Sequence, residues 1–347
     1  MRVCFLFLDA AWDGRARAFA EAGTALRGRG VDVAMVCPAH SAVSRMVRDC
    51  GFDAVEIAVR GRWMGDAWRL RGVLRQTLSD VVFVHGERAQ LVASVATRSV
   101  GRGAVVRRHP PRAHLADGRA ARFGARLVRT GWLFASEEDR RTAQLSPRLI
   151  DAGVAVSAAP DAMSPRVPTG AVVTCVFDHD TQSALLPALR ALAFVAARHP
   201  ELRIVLAGPT GDDDALRIQV AALGFGAVVS LADEPAARAL AVADARVVWN
   251  LADGDNFAFA ALDAFAAGVP VLALRTPLAA RYLTDGVNGI ALTSADPANA
   301  ASAVARLLAD DALHAQLVTG AFATAAHWPR AAMADGYERA AAAARNS

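Results

Sequence analysis

Residues 249–274 read WNLADGDNFAFAALDAFAAGVPVLAL. A short β-rich run is followed by a Gly/Asp turn, a helical pattern and a second β-rich run. Asp255 and Asp263 stand eight residues apart, a little over two helical turns, so their carboxylates lie near one face with Asp255 at the helix N-terminus. Backbone N–H groups at such a terminus, here around Asn256, Phe257 and Ala258, can hold a diphosphate. A carboxylate two turns further along can accept hydrogen bonds from a ribose. In a purely structural role Asp255 would be an N-cap and Asp263 a polar residue on the helix flank. Asp263, however, sits within AALDAFAAG, a run expected to be buried, where a carboxylate needs a partner.

The same alternation extends outward in both directions. Strands are expected at 171–177, 203–208, 227–232, 247–252, 269–274 and 289–293, with helices between them. The first half reads similarly, with strands at 2–8, 31–37, 54–59, 81–86 and 104–109 and a further β-rich run from 132. A basic amphipathic stretch covers Trp63 to Leu78. The segment SAAPDAMSPRVPTG (157–170), with three prolines and several turn formers, reads as a linker. The division predicted is an N-terminal Rossmann-like domain over 1–160, a second domain over 161–327 and a C-terminal helix over 328–347 packing back toward the first. The fold class is α/β, with two doubly wound, Rossmann-like parallel-sheet domains facing across a ligand crevice. A proline-containing linker makes domain closure over a ligand the expected motion.

Composition removes several function classes. The chain of 347 residues contains no lysine, and its 38 basic residues alternate with acids, leaving a net charge of only +4. Solvated faces explain this pattern better than a nucleic-acid footprint, so no nucleic-acid partner is predicted. Cys4, Cys37, Cys50 and Cys175 lie in or beside apolar runs without metal-ligand spacing and read as reduced residues of a cytoplasmic protein. No run reaches the roughly 18 apolar residues of a membrane span, so membrane contact, if made, is peripheral at the inner face. The arginine-rich stretches 62–75 and 107–129 are where such contact would fall.

The 249–274 stretch resembles the donor-site motif of family 4 retaining glycosyltransferases, the GT-B glycosyl transferases of group 1. That motif is a Glu, seven residues, a second Glu, then Ala, an apolar residue, Ala, a small residue, Gly, any residue, Pro and Val. This chain has Asp255, seven residues, Asp263, then AFAAGVPV. RYLTDGVNGIAL (281–292), DPANAASAVARLLADDAL (296–313) and HWPRAAMADGYERA (327–340) are similar to that family's C-terminal run. The resemblance implies that Asp263 binds the nucleotide ribose and Asp255 the hydroxyls of the transferred sugar, the turn after it meeting sugar and diphosphate. It also implies that His109, at the end of AVVRRH, contacts the sugar near the reacting carbon, and that Asp13-Gly14-Arg15 takes the place of a glycine-rich loop near the diphosphate. His85 matches a strand-end histidine, read here as structural.

Two departures bear on function. The family's diphosphate-neutralising arginine and lysine are replaced by Asp178-His179-Asp180, and a customary glutamate is Arg281, which could restore part of the charge. No cofactor or metal is predicted, because Asp253-x-Asp255 and Asp178-x-Asp180 are short matches expected by chance. The implied function is retaining transfer from a nucleoside-diphosphate sugar to a sugar, lipid-linked or small-molecule acceptor. The alternative is a non-catalytic relative serving as a binding or regulatory partner; an epimerase or phosphorylase on the same fold is a third reading.

Overall fold

The computed structural model describes residues 1–111, 118–143, 149–161, 170–209, 213–224 and 226–346. It divides into two compact units, Met1–Ala158 with Arg330–Ser347, and Ala159–Pro329.

The first unit holds a seven-stranded parallel sheet in the order β3-β2-β1-β4-β5-β6-β7. The strands are β1 (Arg2–Leu6), β2 (Asp32–Pro38), β3 (Ala54–Ile57), β4 (Val81–His85), β5 (Ala104–His109), β6 (Thr130–Phe134) and β7 (Leu149–Val154). Between them run α1 (Gly14–Arg27), α2 (Ala42–Asp49), α3 (Trp63–Thr77), α4 (Gly86–Val100), α5 (Arg119–Leu127) and α6 (Glu137–Thr142). Right-handed crossovers put α1 and α2 on one face of the sheet and the contiguous row α3, α4, α5 on the other.

The two-residue period of the strands sorts the core between these faces. Cys4, Leu6, Val82 and Val84 join Leu70, Val73, Val92 and Ala96 of α3 and α4 in one buried cluster. Phe5 and Phe83 point to the other face, where their rings lie 5.2 Å apart and contact Phe19 of α1 and Tyr337 of the last helix, α13 (Arg330–Asn346). That helix packs on β7 so closely that a Cβ on Gly336 would lie 2.5 Å from the Val154 carbonyl oxygen.

The second unit is a six-stranded parallel sheet in the order β10-β9-β8-β11-β12-β13. Its strands are β8 (Val172–Val176), β9 (Arg203–Ala207), β10 (Val229–Ala232), β11 (Val247–Asn250), β12 (Val271–Leu274) and β13 (Gly289–Leu292). Its helices are α7 (Leu185–Ala196), α8 (Asp213–Ala222), α9 (Pro235–Ala243), α10 (Gly254–Ala266), α11 (Pro297–Ala309) and α12 (Asp311–Ala326). Helix α10 is almost wholly apolar and buried against α9, α12, β11 and β12.

All six strands expected in the second half are present, each within about two residues of its reading. Three elements of the first unit, α5, α6 and β7, are not among the sequence expectations. The 132–141 run is the end of β6 followed by the short helix α6, and the sheet continues to β7 rather than closing there. Residues 162–169 of the expected linker lie outside the described residues.

Candidate functional site

Each sheet has one point where the strand order reverses. Doubly wound sheets bind ligands there, beyond the carboxyl ends of the strands, because adjacent loops leave in opposite directions and open a cleft. In the second unit that point lies between β8 and β11, and the chain leaving β11 runs straight into α10.

Asn250 shapes this turn. Its buried amide Nδ2 donates to the Phe257 carbonyl (2.9 Å) and its Oδ1 accepts from the Ala252 N–H (3.2 Å), which folds residues 251–256 over the end of β11. Gly254 opens α10 at φ +55°, a left-handed conformation that an L side chain resists. The N-cap is Asp253, whose own carboxylate makes no capping hydrogen bond. Asp255 is therefore in the first helical turn, not the cap, and it is only 3% exposed. Asp263, read as buried, is half-buried on the same helix.

Of the amides expected to face a ligand, that of Phe257 is bonded along the helix to the Asp253 carbonyl (3.1 Å), and Phe257 and Ala258 are buried. Asn256 is half-buried and turns its side chain toward Asp178. Arg281 lies on the short turn Ala279–Arg281 after β12, half-buried. Buried Asn288 secures the following loop by donating to the Tyr282 carbonyl (2.8 Å) and Thr324 Oγ1 (2.9 Å) and accepting from the Thr284 N–H (2.8 Å).

Asp178, just past β8, is the residue whose role the sequence did not disclose. One carboxylate oxygen accepts from the Thr181 N–H and hydroxyl, both at 2.9 Å. The other accepts from the Asp253 N–H at 3.0 Å and Asn256 Nδ2 at 3.4 Å, spanning the switch point. The protein thus places its own carboxylate against the N-terminal end of α10, where the helix dipole favours an anion. His179 and Asp180 are exposed beside it. Among the described residues no group of three or more His, Cys, Asp or Glu side chains gathers as a metal site.

The first unit has its own reversal between β1 and β4. Asp13 caps α1 by accepting from the Ala16 N–H (2.9 Å), and Gly14 is the first helical residue. Arg15 pairs with Asp13 at 2.7 Å. His85 stacks on Phe19 with ring centroids 3.8 Å apart and donates from Nε2 to the Arg15 carbonyl (3.0 Å), tying this loop to β4. Burial, with Arg108 and Arg15 nearby, holds its pKa well below the usual histidine value. The cavity lined by Leu6, Asp9, Asp13, Arg15 and His85 is only about 20 Å³, room for roughly one water.

His109 ends β5 and is 2% exposed, its ring 4.2 Å from that of Trp132 and 5.7 Å from that of Phe134. Desolvation, reinforced by the Arg107 and Arg108 charges, lowers its pKa to about 3, so the imidazole is neutral at ordinary pH. Its Nε2 is buried and has no hydrogen-bond partner among the described residues, as is the case for Nε1 of the neighbouring Trp132. The structure places His109 and Gly14 in the first unit and Asp255, Asn256, Phe257, Ala258, Asp263 and Arg281 in the second.

A family model described as "Glycosyl transferases group 1" matches residues 171–310, the sheet and helices that carry the second switch point. The D-inositol 3-phosphate glycosyltransferase of Acidothermus cellulolyticus is 34% identical over 154 residues, 41% of this chain. That match spans 34% of the relative's length, about a third. Among solved structures, Anabaena Alr3699/HepE in complex with UDP-glucose superimposes with a TM-score of 0.76 at 16% identity, covering 97% of this chain and 98% of the other. The pneumococcal O-GlcNAc transferase GtfA, in complex with UDP and GlcNAc, gives 0.74 at 9% identity over 100% and 99% of the two chains. These likenesses show the fold: the two parallel-sheet α/β domains of GT-B glycosyltransferases.

Proposed function

We propose that the chain is a glycosyltransferase that takes a sugar from a nucleoside-diphosphate sugar and passes it, with retention at the anomeric carbon, to a sugar, lipid-linked or small-molecule acceptor. The observation that carries this reading is the switch point of the second unit. There a buried acidic residue, Asp255, and a half-buried one, Asp263, lie two turns apart on α10, inside the segment that matches the glycosyl transferase model. In this reading Asp263 accepts from the ribose hydroxyls and Asp255 from hydroxyls of the transferred sugar, while Asn256, Phe257 and Ala258 shape the wall beside them; Gly14, at the start of α1 in the first unit, is assigned to donor binding as well. Arg281 supplies positive charge toward the diphosphate. His109, neutral, serves as a hydrogen-bonding group to the sugar rather than as a proton carrier, since an imidazolium would require a pH near 3. Catalysis then rests on positioning and on stabilising the departing diphosphate.

A second reading is favoured by one observation, the Asp178 carboxylate held against the start of α10. A carboxylate there repels a diphosphate, as expected of a protein that keeps the fold and has become a binding or regulatory partner. We place the protein in the cytoplasm, peripheral at the inner membrane face. No helix among the described residues is long and apolar enough to cross a membrane.

The test is turnover. Incubated with UDP- and GDP-sugars and a panel of acceptors, the purified chain should release nucleoside diphosphate only when a suitable acceptor is present, with the product retaining the donor's anomeric configuration. Nucleotide binding without turnover would favour the non-catalytic reading. Turnover of the nucleotide sugar without acceptor would favour an epimerase or phosphorylase.

A further inference from the structure

Helix α3 breaks the rule that the outer face of a surface helix is polar. Its inner face is made by Ala67, Leu70, Val73 and Leu74, which join the core under the sheet. Off that stripe, Met64 and Trp68, one turn apart, are 66% and 68% exposed, and Trp63, at the helix start, is 38% exposed. Two bulky apolar side chains on successive turns of a solvent face, next to a third, amount to far more than one stray exposed residue.

The charge around them has one sign. The stretch RGRWMGDAWRLRGVLRQT (60–77) contains five arginines and a single acid, Asp66. Asp66 does not reach the surface: its side chain is 0% exposed and is held between Arg69 (3.4 Å) and Arg88 (2.6 Å). Arg71 stacks over the Trp68 ring at 4.5 Å, which ties cation and aromatic together on the outer side.

Helix α5, at the other end of the row formed with α4, repeats the composition. Its sequence RAARFGARL has three arginines and no acid, and Phe123 is 48% exposed. Indole rings with long arginine stems suit the boundary of a lipid bilayer, where the apolar body enters the acyl region and the charge stays among headgroups. A charged protein partner would match the arginines but leave Met64 and Trp68 without an apolar counterpart; an anionic bilayer offers both.

We propose that the exposed side of α3, centred on Met64 and Trp68 with Trp63 at its start and extended by α5, is a docking surface for an anionic lipid bilayer. It gives the peripheral placement above a location, and because it is read from vesicle binding it stands or falls separately from sugar transfer. A lipid-anchored acceptor would then be presented to the first unit by the surface that holds it.

The experiment is sedimentation of the full chain with vesicles of phosphatidylglycerol and phosphatidylcholine, against vesicles of phosphatidylcholine alone. Wild type should pellet with the anionic vesicles and be released by added salt, and its tryptophan emission should shift to the blue on binding. Trp63→Ser with Met64→Ser and Trp68→Ser, all at exposed positions, should weaken binding at least tenfold and abolish the shift. Arg62→Gln and Arg75→Gln should each cost on the order of five-fold. Circular dichroism establishes that the variants are folded. The proposal is overturned if wild type stays in the supernatant, if it binds zwitterionic vesicles equally, or if the triple variant binds like wild type. Self-association of wild type that disappears in the triple variant, without vesicle binding, would overturn it in favour of a second copy of the chain.

Discussion

Replacing Asp178 by Asn should make the protein less stable and a better binder of nucleoside diphosphates at the same time. The carboxylate accepts four hydrogen bonds, two from Thr181 and one each from the Asp253 N–H and Asn256. An amide can keep only part of that set, and the loss at a half-exposed helix terminus is worth about 1 kcal/mol, a fall of roughly 2–4 °C in the Tm of a domain this size. Binding responds in the other direction. A unit charge about 6 Å from a phosphate, in surroundings between water and a protein surface with an effective dielectric constant near 40, costs about 1.4 kcal/mol. Removing it should tighten UDP or GDP binding about tenfold at low salt, and less as salt screens the charge. Calorimetric titration and thermal unfolding of wild type and Asp178→Asn measure both quantities. A destabilised variant with unchanged or weaker nucleotide binding would refute the reasoning, because Asp178 would then be a loop staple with no bearing on an anion.

Three other outcomes follow from the site. Asn250→Ala leaves the buried Phe257 carbonyl and Ala252 N–H without their partner, and should lower stability by about 2–3 kcal/mol in denaturant unfolding. His109, held neutral by burial with a pKa near 3, gives stability that is complete above the unfolded value near 6.5 and is lost as pH falls from there toward 3. The free energy of unfolding should accordingly fall by up to about 1.4 kcal/mol per pH unit as pH drops through that window, with a shallower slope in His109→Gln, and no His109 limb should appear in a pH–rate profile between 6 and 9. Gly268→Ala should cost about 1–3 kcal/mol, read as a lower Tm, because φ there is +73° and a Cβ would lie 2.4 Å from the Phe322 ring.

The fold was largely legible because apolar runs of strand length alternate with helical patterns, and parallel strands buried on both sides leave few polar interruptions. What escaped had weak patterning. Strand β7 lies at the sheet edge, carries Asp151 and buries only Ala152 fully, so LIDAGV shows neither an apolar run nor alternation. Helix α5 buries only Ala121 and Gly124, so its arginines hide its period.

At the site the spacing of Asp255 and Asp263 was visible, but which aspartate caps α10 was not, since Asp253 and Asp255 are alike as residue types and backbone geometry decides between them. Asn250 was read as part of an apolar strand, although a buried Asn at a strand end before a Gly/Asp turn is a usable signal for a turn staple. The bond from Asp253 to Asp178 joins residues 75 apart in the chain and exists only because β8 and β11 are neighbours in the sheet.

The most direct test of the donor-site assignment is calorimetric binding of UDP, GDP and their sugars to wild type and to Asp263→Ala. The account predicts that wild type binds one of these nucleotides, with the base identified by the preference, and that folded Asp263→Ala binds it at least tenfold more weakly. Binding by neither nucleotide series to a folded wild-type chain, or equal binding by Asp263→Ala, would contradict it.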